Sequence, residues 1–96
     1  MDERVIEALQ RAKERLAERG WVREPELYHS GPTCVGLALG TEVDAPYETL
    51  CQAVLIFQRA VGTSDHVEWN DHVCQSEAQA LDAFDAAIRL AKDTPA

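Results

Sequence analysis

DAPYETLCQAVLIFQRAVG, residues 44–62, is apolar over most of its length and bounded by chain breakers. Asp44 suits a helix N-cap, Pro46 falls in a first turn where its missing N–H does little harm, and Gly62 ends the run. Tyr47, Leu50, Cys51, Val54, Gln58 and Val61 recur at helical spacing along one face. Leu55, Ile56 and Phe57 make the helix apolar on further sides, so residues 45–61 are expected to form a central helix touched by several neighbours.

The flanking segments supply those neighbours. Residues 3–19 carry Val5, Leu9, Ala12 and Leu16 on a single stripe, widened by Ile6 and Ala17. Asp2 can cap this helix, and Gly20 stands where a positive-φ residue is expected. Glu7 and Arg11 make an i, i+4 pair on its wet face. Residues 77–92 repeat the pattern with Leu81, Phe84, Ile88 and Ala91, and Asp85 is set to pair with Arg89. Ser76 followed by Gln79 reads as a capping box, with the Gln79 amide reaching back to the Ser76 N–H. Residues 93–96 read as a frayed tail. Pro25, Gly31 and Pro32 break the segment after the first helix, leaving a loop with room for a short hairpin. The run TCVGLALG, residues 33–40, is short and apolar and fits a buried strand or a buried helical turn; the small Gly36 and Ala38 suit close packing on another helix, and a short helix is the reading preferred. Residues 63–75 read as a connection. The expected fold is mainly α: one compact helical domain over residues 1–96, three to four helices with an irregular segment after the first.

Formal net charge is −8, unevenly spread. Residues 1–19 balance five acids with five bases, whereas twelve acids face four bases from Gly20 onward. Between Arg59 and Arg89 there are six acids and no Lys or Arg. Such a surface repels nucleic-acid phosphate and anionic membranes, so neither partner is expected; a basic protein partner, or no partner at all, fits better, and the plainest reading is that the charge keeps a small protein in solution. No apolar run approaches the ~20 residues of a membrane span. The N-terminal MDERVIEALQ has no apolar signal region, so a cytoplasmic location is expected. Cys34, Cys51 and Cys74, an odd set without CxxC, are then expected to be reduced thiols.

Chemistry-bearing residues concentrate in VEWNDHVCQSEAQ, residues 67–79. Trp69 is a large apolar anchor, and Asn70 and Asp71 are types that bond nearby backbone, so Trp69-Asn70-Asp71 is read as a structural corner leading into the last helix. The competing reading makes Asp71 a general base, or Asn70 and Asp71 contacts for a partner. His66, His72 and Cys74, with Cys34 or Cys51, offer zinc-ligand types, and a thiol- or metal-dependent site at Cys34, His72 and Cys74 is the alternative reading. His72-x-Cys74 is not a common ligand spacing, however. Cys74 with His72 or His66 and Asp71 supplies nucleophile, base and acid, but in a chain with little room for a substrate pocket. His29, in the Pro/Gly loop, is expected to face solvent. No residue is assigned to catalysis, to a metal or to a cofactor, and the chain is not expected to be an enzyme.

The order Gly20-Trp21, Gly31-x-x-Cys34, Trp69-Asn70-Asp71, then a capped C-terminal helix with Ala87, resembles a family of small actinobacterial and actinobacteriophage proteins with a GW…GxxC…WND pattern and no assigned activity. The likeness runs over nearly the whole chain, and WND is its most specific part. Ser76 fits the cap that follows WND; the run His72-Val73-Cys74-Gln75 lies outside the pattern. The resemblance implies a phage accessory protein or a bacterial adaptor. A cytoplasmic module that binds a host or cellular protein is the function expected first, and an acidic nucleic-acid mimic is a second alternative. The sequence assigns no oligomeric state.

Overall fold

The computed structural model describes residues 2–22, 33–40 and 43–94. Among them are α1 (Glu3–Arg19), α2 (Val35–Gly40), α3 (Tyr47–Val61), the single turn α4 (His66–Glu68), a π-helical turn (Trp69–Val73) and α5 (Glu77–Asp93). The mainly α architecture expected from the sequence is the one observed. The loop where a hairpin was anticipated, and His29 within it, lie outside the described residues.

Helix α1 begins as its sequence requires. The Asp2 carboxylate accepts the Arg4 N–H at 2.8 Å, filling one of the orphan donors of the first turn. Val5, Ala8, Leu9, Ala12 and Leu16 are buried; Ala17, expected to widen the stripe, is exposed. Gly20 follows at φ 87°, a region open to glycine, and its N–H reaches the Leu16 carbonyl at 2.8 Å.

Helices α1, α3 and α5 pack against one another, and small residues set their closeness. Ala80, Ala83, Ala87 and Ala91 of α5 are buried, as are Ala8 and Ala12 of α1 and Ala53 of α3. Aromatic rings fill the space between. Phe57 meets the Trp69 ring edge-on at 5.5 Å and the Phe84 ring at 5.0 Å, both favoured aromatic geometries.

Several local expectations are corrected. Helix α3 starts at Tyr47 with Pro46 in the cap position and no side-chain cap bond. Pro46 has φ −56°, already suited to a helix start, and Asp44 stands too early in the chain to reach the first free N–H groups. The buried face of α3 is Thr49, Ala53, Ile56 and Phe57, not the stripe that begins at Tyr47. Ser76 caps α5 by accepting the Gln79 N–H at 3.1 Å, but the Gln79 side chain takes the Gln75 N–H at 2.9 Å, one residue before the expected donor. Asp85 pairs across the bundle with Lys13 of α1 at 2.6 Å rather than along its own helix with Arg89. Helix α5 runs through Asp93, and the Thr94 hydroxyl bonds back to the Leu90 carbonyl at 2.7 Å.

The connection after α3 is more ordered than its composition suggests. Gly62 takes the left-handed conformation, φ 74° and ψ 33°, and the Thr63 N–H closes onto the Gln58 carbonyl at 2.9 Å, a Schellman ending. The Asp65 carboxylate then accepts the N–H groups of Val67 and Glu68, each at 3.1 Å, and nucleates α4. In the π-helical turn the Cys74 N–H bonds to the Trp69 carbonyl at 2.8 Å, an i→i+5 link. The wider turn lets the adjacent Trp69 and Asn70 face the interior together, with Cys74 buried behind them.

Candidate functional site

Two regions hold the residues with most chemical potential: the Trp69-Asn70-Asp71 corner and the outward face of α3.

At the corner, Asn70 is 1% exposed and its amide is saturated. Its Oδ1 accepts from Trp21 Nε1 at 2.7 Å and from the Val35 N–H at 3.1 Å. Its Nδ2 donates to the Val22 carbonyl at 3.3 Å and to Asp71 Oδ1 at 2.9 Å. One side chain thus joins the chain leaving α1, the start of α2 and the π-helical turn. Trp21 is fixed further by its own N–H, which donates to Glu77 Oε1 at 2.9 Å. The ends of segment 23–32 are tied together as well. Trp21 and Thr33 form an isolated parallel bridge, with Val22 N–H to the Thr33 carbonyl at 2.9 Å and Thr33 N–H to the Gly20 carbonyl at 2.8 Å.

Among the described residues, the His and Cys side chains form no metal-holding cluster. His66 is half-buried; its ring Nδ1 lies 2.9 Å from Gln58 Oε1, and burial lowers its pKa while the Asp65 carboxylate opposes that shift. His72 is exposed on the π-helical turn. Cys74 is buried, and its thiol donates to the Ser76 carbonyl at 3.3 Å. Cys34, Cys51 and Cys74 are not joined in disulfides. Among the described residues, no group of three or more His, Cys, Asp or Glu side chains is placed to hold a metal ion. The Cys34, His72 and Cys74 reading therefore finds no geometry there.

The outward face of α3 includes Tyr47, Leu50, Cys51 and Val54 of the stripe that the sequence places along one side of this helix. Tyr47 is 81% exposed and Leu55 62% exposed. Together with Leu50, Cys51 and Val54, and with Leu39 and Gly40 at the end of α2, they line a shallow apolar groove; among the described residues none of its lining side chains is charged. A hydrogen bond with the Cys51 thiol raises the Tyr47 phenol above its usual pKa. A signal for this face was present in the sequence. Thr49, Ala53, Ile56 and Phe57, at i, i+4, i+7 and i+8, form a second helical stripe, and only one of the two could face the bundle.

A family model matches residues 1–90; its description is a family of unknown function, DUF6197. The chain belongs to this family. No curated protein and no solved structure matches it. In this DUF6197 chain the match spans α1, the corner and most of α5, so the Asn70 junction and the α3 groove both fall inside it. Among the described residues of the DUF6197 chain, no helix is long and apolar enough to cross a membrane.

Proposed function

We propose that this chain is a non-catalytic protein-binding module that acts by docking, and that the outward face of α3 is its binding surface. The supporting observation is the uncharged strip of half-buried Leu50, Cys51 and Val54 with exposed Tyr47 and Leu55, on a helix whose other side is central to the bundle. Contiguous apolar surface with a large aromatic at its edge is the usual mark of a protein-interaction site. A cellular or host protein in the cytoplasm is the partner class. The likeness to small actinobacterial and actinobacteriophage proteins, carried by Gly20-Trp21 and Trp69-Asn70-Asp71, supports an adaptor or accessory role.

The test uses Leu55→Asp. Leu55 lies outside the core, so the variant should keep wild-type helicity by circular dichroism. Tagged wild-type chain should retain a specific protein from a lysate of its source cells, and the variant should lose it. Identical bound proteins for the two chains would remove α3 from the reading. Retention of none by either would remove the reading itself.

A further inference from the structure

We infer that the outward face of α3 pairs with the same face of a second copy, the two helices antiparallel about a two-fold axis. The inference rests on the reading of that face as a protein-binding surface and takes a second copy, rather than a cellular or host protein, as what covers it in the isolated chain.

Charge carries the argument. Between Tyr47 and Val61 the only charged residues are Glu48, in the first turn, and Arg59, in the last. Both are exposed. At about 100° per residue, residues eleven apart lie about 20° apart around a helix, so the two charges border the same side of the strip, the side of Leu55. At about 1.5 Å per residue they stand about 16 Å apart along it. The acid thus sits at one end of a single edge and the base at the other. An antiparallel two-fold copy reverses that order and keeps both charges on the same edge, so Glu48 of each copy meets Arg59 of the other. Both pairs form at once, as in any isologous contact. A parallel two-fold would carry the two charged edges to opposite sides of the contact and pair neither charge.

The apolar residues agree with that register. The midpoint of Glu48 and Arg59 falls between Ala53 and Val54. The axis then passes beside Val54, and Leu55 of one copy comes within about 5 Å of its counterpart along the helix direction. Val54 and Leu55 form the centre of the contact, and Tyr47 reaches toward Gln58 and Val61 of the other copy. For a chain of net charge −8, most mutual approaches are repulsive. This strip is neutral, and its bordering charges are complementary to themselves.

Glu48 and Arg59 also suit the dipole of their own helix. That role would change folding stability but not association, so sedimentation equilibrium of the purified chain separates the two. Wild type should dimerise with a dissociation constant on the order of 10–100 μM, and Leu55→Asp should be monomeric. Glu48→Arg and Arg59→Glu should each weaken the dimer roughly tenfold. The double variant Glu48→Arg/Arg59→Glu should restore wild-type association, because the pairing is only inverted. A chain that stays monomeric to about 1 mM overturns the inference. So does a dimer indifferent to the single reversals, or a double variant that fails to recover. If the pure chain is monomeric while Leu55-dependent capture from lysate persists, self-pairing fails and the binding-surface reading stands.

Discussion

Asn70 offers two acceptor lone pairs and two N–H donors, and its four hydrogen bonds use both kinds. Asn70→Asp keeps the shape and removes the donors. A buried carboxylate would then face the Val22 carbonyl and the Asp71 carboxylate, and the expected loss is roughly 2–4 kcal/mol in urea unfolding. Acid should relieve part of that loss by protonating one of the two carboxyls. A neutral effect would mean that Nδ2 does not face those oxygens. Trp69→Ala, which deletes the ring that Phe57 packs against, should cost about 3–5 kcal/mol. The sequence identified Trp69 as an anchor and Asn70 as a backbone-bonding type. It did not show what Asn70 bonds, because Trp21 and Val35 stand 49 and 35 residues away and no local rule spans that distance.

At the scale of elements, the long helices were legible because each carries a regular apolar stripe and a stop signal. The inward face of α3 was not legible. Its two stripes are both apolar, and Thr49 and Ala53 face the bundle because small side chains let α1 and α5 come close, a property of the neighbours. The π-helical turn was invisible for a similar reason: one extra residue per turn leaves no mark in composition. Gly36 of α2 gives a test of how tightly the short elements are joined. A Cβ built there would stand 3.5 Å from His66 Cδ2 and Nε2 and 3.6 Å from Val67 Cγ2, ordinary van der Waals distances. Gly36→Ala should therefore stabilise by about 0.5–1 kcal/mol through reduced backbone freedom and raise Tm. A lowered Tm would show that α2 and α4 cannot give the needed space.

For the whole molecule, acid and base are coupled to folding through His66. Burial lowers its pKa in the folded state, so the unfolded chain binds a proton there at higher pH than the folded one. Stability from this group is complete above the ordinary histidine pKa and is lost as pH falls through the lowered value. Unfolding free energy should decline as pH falls below the ordinary histidine pKa of about 6.5, and His66→Gln should flatten that decline relative to wild type. Equal slopes for the two chains would take His66 out of the account. The parallel bridge between Trp21 and Thr33 bears on how this fold can vary. It makes the entrance and the exit of segment 23–32 neighbours, held by bonds that do not involve the residues between. Closure entropy grows only as the logarithm of length, about 0.6 kcal/mol for each doubling, when both ends are already fixed. The bridge is therefore a port in the scaffold. Exchanging or lengthening residues 23–32 should leave the three-helix bundle and the Asn70 junction in place, with Tm changed by little.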